Sequence, residues 1–102
     1  MDREEIIKKL NRYAELLKQH FSLKKMILFG SYAKGTAKPH SDIDVAVIVQ
    51  KNTMDFFQYA PLLWELSGMV DSLIEPVLFE EETDDKSGLL EDISKNGIVI
   101  YE

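Results

Sequence analysis

The sequence predicts an α/β (α+β) domain in which a small mixed β-sheet is flanked by helices, in the order α-β-turn-β-α-β-α-β. Three observations predict this class: a helical apolar period near the N-terminus, two short apolar runs separated by turn residues, and further strand and helix patterns towards the C-terminus. The 102 residues suffice for one hydrophobic core, so we expect a single domain over residues 1–102.

The N-terminal half predicts one helix and two strands. Apolar side chains recur at the helical period over residues 3–20, and those that share a face are Ile6, Leu10, Tyr13 and Leu17. Two short apolar runs, 26–29 and 42–50, are expected to be strands. Residues 30–41 lie between them and predict a turn, because they are rich in glycine, proline and serine.

Pro61 predicts a break in the helical segment that follows. Proline has no N–H group and its ring clashes with the preceding helical turn, so it is disfavoured inside a helix. We therefore expect a short helix or turn near 54–59 and a separate helix over 61–67. Proline at the first position of that second helix and Gly68 just beyond its end suit this division.

The C-terminal residues predict two more strands and a helix. The run 73–79 contains Pro76, which predicts a strand at a sheet edge or one with a bulge. A short helix is expected over 87–96, with Gly97 as a left-handed cap. Residues 98–101 predict the last strand.

The composition limits the possible classes of function. The formal net charge of −6 argues against direct nucleic-acid binding, which needs a basic surface. The absence of cysteine excludes disulfides and thiolate metal sites. No apolar run reaches the ~18 residues of a membrane span, and the N-terminus does not resemble a signal peptide. We therefore expect a cytoplasmic protein that does not bind membranes.

Asp42 and Asp44 stand at the start of a strongly apolar strand. Side chains two residues apart in a strand point to the same side, so these carboxylates face away from Ile43, Val45 and Val47. At about 6–7 Å they repel by roughly 2–3 kcal/mol at an effective dielectric constant near 20. A hard divalent cation such as Mg²⁺ between them would remove this repulsion. The alternative is that Asp42 only begins the strand and Asp44 is an exposed edge residue.

Gly30 and Ser31 follow the preceding strand and can begin a short helical turn that reaches Lys34. Glycine lets the backbone approach a phosphate closely, and the serine hydroxyl adds a donor. Lys34 could add a positive charge, although an exposed lysine is usually only solvated. If the two strands are antiparallel neighbours, this turn and the aspartates Asp42 and Asp44 lie side by side.

Residues 26–49, MILFGSYAKGTAKPHSDIDVAVIV, resemble the signature of the DNA polymerase beta-like nucleotidyltransferase superfamily, in its minimal nucleotidyltransferase branch. That signature is GS, ten residues, then DxD, on two strands joined by a helical turn. The resemblance implies a mixed sheet on which two Mg²⁺ ions hold a nucleoside triphosphate, here ATP. Asp42 and Asp44 are then the metal ligands, and Gly30 and Ser31 contact the triphosphate. Many relatives have arginine where Lys34 stands, so a bidentate phosphate contact is lost.

The family also uses a third carboxylate, for which the sequence offers two candidates. Glu75 lies inside the third strand, where a carboxylate among apolar residues needs a partner such as a metal. Asp71 matches the residue type of many relatives, but it lies just after a helix, where an acid is often a turn residue. The strand position favours Glu75 as the third catalytic and metal-binding group.

The resemblance implies that AMP is transferred from ATP to a hydroxyl group. Little chain is left over to form an acceptor pocket, so a partner protein or a second copy of the chain is expected to supply the acceptor. Stand-alone proteins of this branch are typically paired with a helical HEPN protein, as the antitoxin of a toxin–antitoxin pair. Two alternatives stay open: a module that binds nucleotide and neutralises its partner by contact alone, and a structural subunit that binds no nucleotide.

Overall fold

Four helices and four strands alternate along the described part of the chain. The computed structural model describes residues 1–51, 56–82 and 87–102. The helices are α1 (Arg3–Lys18), α2 (Ser31–Lys34), α3 (Phe56–Val70) and α4 (Leu89–Asn96), and the strands are β1 (Leu23–Phe29), β2 (Ile43–Val49), β3 (Ile74–Glu80) and β4 (Ile98–Tyr101). This order confirms the predicted fold class, with α2 inside the predicted turn. None of the helices in the described ranges has the length and apolar character that a membrane crossing requires.

The four strands form one mixed sheet in the order β3-β2-β1-β4. Strand β1 is antiparallel to both β2 and β4, whereas β2 and β3 are parallel. Phe29, the last residue of β1, pairs with Asp44 near the start of β2. The predicted meeting of the glycine-serine turn with the aspartates is therefore confirmed.

The main core lies between one face of the sheet and the helices α1 and α3. Ile43, Val45 and Val47 are buried in this core, which confirms that the aspartates face the other way. The Tyr13 hydroxyl donates a 2.9 Å hydrogen bond to the Leu63 carbonyl and so joins α1 to α3.

The opposite face of the sheet carries a smaller apolar cluster. Ile27 of β1, Ala46 of β2 and Ile93 of α4 form it, so α4 packs on the same face that bears Asp44. Because α4 lies over β1, the β2–β3 half of this face is the part where polar side chains can meet solvent.

The predicted break at Pro61 is wrong, because α3 is continuous from Phe56 to Val70. Residues 54 and 55 of the predicted shorter segment lie outside the described ranges. Pro61 is the sixth residue of α3 and is exposed, so it costs one backbone hydrogen bond near the start of the helix. Burial of Tyr59, Leu63 and Leu66 on the core side of α3 offsets that cost.

Pro76 lies at a sheet edge, as predicted. Leu73 accepts a 2.8 Å hydrogen bond from the Ile43 N–H, and the Glu81 N–H donates a 2.7 Å bond to Val49. Since the register between β2 and β3 has no shift, the odd-numbered residues of β3 bond with β2. The nitrogen of Pro76 therefore faces away from the sheet, where no ladder hydrogen bond is lost.

The left-handed cap predicted at Gly97 is wrong, because its φ of −84° and ψ of 174° are extended. Glycine is needed there for a different reason. An added Cβ would collide with the side chain of Ile27 and with the carbonyl groups of Leu28 and Ile93. Gly97 thus lets the end of α4 approach β1 closely.

Several predicted boundaries also differ from the observed ones, by at most three residues. Helix α1 ends at Lys18, two residues early, because the backbone turns at residues 19–20. Strand β1 begins at Leu23 rather than Met26, because pairing with β2 extends it through two lysines that carry no apolar signal.

Candidate active site

Asp42, Asp44 and Glu75 lie together at the open half of the sheet. Asp42 directly precedes β2, and Asp44 pairs in register with Glu75 on the parallel neighbour β3. Residues paired in this way have their side chains on the same face, about 5 Å apart along the hydrogen-bonding direction. Asp44 is half-buried, whereas Asp42 and Glu75 are exposed. The structure therefore brings the three predicted carboxylates into one cluster.

The carboxylates in this cluster perturb one another. Burial raises the pKa of Asp44, and the negative charge of Asp42 raises it further. The pKa of Glu75 is raised first by the charge of Asp42, then by burial, by the charge of Asp44 and by a hydrogen bond with Asp42. The cluster is thus a site where negative charge is crowded, and no described residue compensates it with an ion pair.

No described lysine or arginine forms an ion pair with any of these three carboxylates. The ion pairs in the described ranges are Lys9–Asp71, Lys18–Glu15, Lys25–Glu102 and Lys95–Glu91. A site that concentrates acidic oxygens, with no paired cation among the described residues, is chemically suited to a hard metal ion.

The cluster fits a magnesium site in which the protein supplies only some of the ligands. Within the described chain, no three acidic or histidine side chains are arranged so that they could together hold one metal ion. Mg²⁺ does not need such an arrangement, because it commonly uses one or two carboxylates together with substrate phosphates and water. The donor chemistry of Asp42 and Asp44 fits that pattern, and their metal-binding role stays a prediction.

Gly30 is the point where the turn after β1 touches the carboxylates. Its φ of 74° and ψ of −153° are unfavourable for other residues, and an added Cβ would collide with the Asp44 carboxylate. Helix α2 begins at the next residue, Ser31, and the Lys34 N–H donates a 3.1 Å hydrogen bond to the Gly30 carbonyl. The backbone of this turn is therefore held against Asp44.

Lys34 is exposed and lines a small cleft between α2 and α4 of about 80 Å³. Gly30 and Asn96 line the same cleft, and the Asn96 side-chain amide donates a 2.8 Å hydrogen bond to Asp92. Sequence reasoning missed Asp92 and Asn96 as neighbours of the site. Nothing in their local pattern distinguishes them from ordinary surface residues of a short helix.

Asp71 lies outside this cluster and has partners of its own. It forms a 2.6 Å ion pair with Lys9 of α1, and its other oxygen accepts a 2.8 Å hydrogen bond from the Leu73 N–H. These contacts, led by the hydrogen bond from Lys9, lower the pKa of Asp71. The structure thus joins Glu75, rather than Asp71, to Asp42 and Asp44.

Two proteins of Methanocaldococcus jannaschii that are named as protein adenylyltransferases are similar to this chain. One is 37% identical over 60 residues, which are 58% of this chain and 60% of the relative. The other is 36% identical over 58 residues, which are 57% of this chain and 66% of the relative. The matched segment therefore spans less than two thirds of each of these relatives.

The fold is similar to that of solved toxin–antitoxin proteins. A chain in a toxin–antitoxin structure with AMP-PNP matches with a TM-score of 0.67 and 28% identity, covering 89% of this chain and 71% of the other. A chain in a mutant of the MntA–HepT toxin–antitoxin pair matches with a TM-score of 0.64 and 29% identity, covering 90% and 71%. The family model described as polymerase beta, nucleotidyltransferase matches residues 11–102. The chain thus belongs to the polymerase beta nucleotidyltransferase family.

Proposed function

We propose that this protein is a magnesium-dependent nucleotidyltransferase that moves AMP from ATP to a hydroxyl group of a partner protein. The observation that carries the proposal is the cluster of Asp42, Asp44 and Glu75, without an ion pair among the described residues, beside the turn at Gly30 and Ser31. The relatives named as protein adenylyltransferases and the neighbour solved with AMP-PNP support the reaction class and the choice of ATP.

Asp42 and Asp44 are the residues that would hold two Mg²⁺ ions, with Glu75 as the third acidic group at their side. When bound, magnesium neutralises the charge that develops on the attacking and leaving oxygens of the reaction. The backbone at Gly30 and the hydroxyl of Ser31 orient the triphosphate, and Lys34 adds a positive charge at the phosphate end.

The reaction exchanges one phosphorus–oxygen bond for another. The acceptor oxygen forms a bond to the α-phosphorus while the bond to pyrophosphate breaks, and Glu75 receives the proton of the acceptor hydroxyl. No covalent intermediate with the protein is needed, since the residues position the groups and manage charge.

The physiological setting that we propose is a toxin–antitoxin pair in the cytoplasm. The solved neighbours are toxin–antitoxin structures, which favours a role as the antitoxin of a helical HEPN-type toxin. The acceptor is then a hydroxyl group of that toxin, although a second copy of this chain is the alternative source of the acceptor.

The proposal is tested by incubating the protein with Mg²⁺, ATP and a purified HEPN-type partner and then measuring intact masses. We expect the partner to gain AMP, and we expect Asp42→Ala and Asp44→Ala to abolish this gain. Glu15→Ala is the matched control, because Glu15 is an exposed acid that lies on α1 and pairs only with Lys18 among the described residues. Neutralisation of the toxin that persists in both aspartate variants would instead identify a module that acts by binding.

A further inference from the structure

The strand order separates the groups of the proposed reaction across the sheet. The turn proposed to contact phosphate follows β1, Asp42 and Asp44 lie just before and at the start of β2, and Glu75 lies on the edge strand β3. In an in-line displacement, the acceptor and the leaving pyrophosphate lie on opposite sides of the phosphorus. If the triphosphate extends towards β1 and α2, the acceptor must approach from the β3 side.

An apolar groove of about 290 Å³ lies on that side, between α3 and β3. Its lining includes Leu63 and Trp64 from α3 and Pro76, Val77 and Leu78 from β3, and none of the described residues that line it is charged. Trp64 is 49% exposed and Val77 is 36% exposed, so two large apolar side chains meet solvent there. In the described residues, β3 pairs only with β2 and its outer edge is open.

The groove and the carboxylate cluster share the edge strand β3. Val77 is two residues after Glu75 on the same strand, so both side chains face the same way, about 6–7 Å apart. Pro76 and Leu78 face the α3 side, and the groove therefore wraps the outer edge of β3. A molecule that fills it can present a group to Glu75 without crossing the phosphate-binding turn.

We propose that this groove holds an apolar segment of the acceptor protein and directs its hydroxyl group to Glu75. The inference rests on the proposed nucleotidyl transfer. A small polar acceptor such as a sugar would find no charged partner in this lining, whereas leucine-rich protein surface would bury Trp64 and Val77. The occupant is therefore a protein segment with an apolar face next to its acceptor hydroxyl.

Trp64 makes the inference directly measurable because it is the only tryptophan of the chain. Its fluorescence reports on the groove, and its emission should shift to shorter wavelength when an apolar segment covers it. The probe is a synthetic amphipathic peptide with a leucine face and one tyrosine, added in the presence of Mg²⁺ and ATP. We expect a saturable shift with this peptide and none with a matched peptide in which serine replaces the leucines.

Val77→Asn and Val99→Asn form a matched control pair. Both valines lie in edge strands and are exposed, but Val99 belongs to β4 at the opposite side of the sheet. Val77→Asn should weaken peptide binding about tenfold, the usual effect of removing an apolar contact from an interface, and Val99→Asn should leave it unchanged. Equal effects of the two substitutions, or no shift with the leucine peptide, would overturn the proposed groove.

The intact mass of the peptide distinguishes the two proposals. AMP on the tyrosine of a peptide that shifts Trp64 emission supports both of them. A peptide that binds at Trp64 but never gains AMP contradicts transfer to tyrosine and leaves the groove supported. Transfer to a peptide that leaves Trp64 emission unchanged supports the reaction and contradicts the groove.

Discussion

Asp71 and Asp44 are aspartates next to the same sheet, yet their surroundings shift their pKa values in opposite directions. Asp71 is held by Lys9 and by the Leu73 N–H, and these contacts lower its pKa. Asp44 is half-buried beside Asp42 with no ion pair among the described residues, and burial together with the neighbouring charge raises its pKa.

The charge of Asp71 stabilises the fold, whereas the charge of Asp44 destabilises it. Asp71 ties α1 to the turn before β3, so its negative charge contributes to stability. The charge of Asp44 opposes folding, and it is retained at the position where the Gly30 turn and Glu75 converge. Acids with raised pKa values that cluster in this way are typical of functional sites.

The largest expected effect is on the rate of AMP transfer, which should differ between variants of these two aspartates. Asp44→Asn should lower AMP transfer by at least about a thousandfold, because an amide cannot neutralise a metal ion and several kcal/mol of transition-state stabilisation depend on it. Asp71→Asn should leave the rate within about threefold of the wild type. Initial rates of AMP incorporation into the partner measure the loss in each variant. Equal losses would contradict the assignment of Asp44, but not Asp71, to the site.

Gly30→Ala should destabilise the protein by about 3 kcal/mol, through its positive φ and through collision with Asp44. Gly35→Ala is the matched control, because Gly35 also has a positive φ but has open space around its Cβ position. Gly35→Ala should lower the free energy of unfolding by about 1 kcal/mol. Urea unfolding measures both, and equal losses would show that Asp44 does not constrain the turn.

Without nucleotide or metal, the two aspartates should also differ in the sign of their effect on stability. Asp71→Asn removes the charge that pairs with Lys9 and should lower the free energy of unfolding by about 1 kcal/mol. Asp44→Asn removes repulsion from Asp42 and Glu75 and should raise it by up to about 1 kcal/mol. Urea unfolding in EDTA at neutral pH checks both signs, and a destabilised Asp44→Asn protein would contradict the proposed repulsion.

The smallest effect is on the pH dependence of stability. The lowered pKa of Asp71 contributes stability that is present above the ordinary aspartate pKa and is lost as the pH falls through the folded value. The raised pKa of Asp44 has the opposite sign: it destabilises the fold above its folded value, and this is relieved as the pH falls. Between about pH 3 and 6, unfolding free energy should therefore rise more steeply with pH in Asp44→Asn, and less steeply in Asp71→Asn, than in the wild type.

The sequence is informative wherever the deciding contacts are local. The alternation of aspartate with Ile43 and Val45 fixes which face of β2 is apolar, and Pro76 indicates an edge strand. Together with the glycine-serine turn at Gly30, these patterns are sufficient to predict the fold class and the meeting of turn and aspartates.

The predictions that were wrong, and the one that stayed open, depend on contacts between distant residues. The Lys9–Asp71 ion pair joins residues 62 positions apart, so the sequence left Asp71 as a candidate for the site. Pro61 is accepted because α3 buries its other face in the core, and Gly97 is required by the approach of α4 to Ile27. No local pattern contains this information.

Calorimetric titration of the protein with ATP, in Mg²⁺ and in EDTA, tests the central claim most directly. The wild type and Asp71→Asn should bind ATP only when Mg²⁺ is present, and Asp44→Asn should lose that binding. ATP binding that is equally strong in EDTA, or that survives in Asp44→Asn at wild-type affinity, would contradict the assignment of the carboxylate cluster as a metal–nucleotide site.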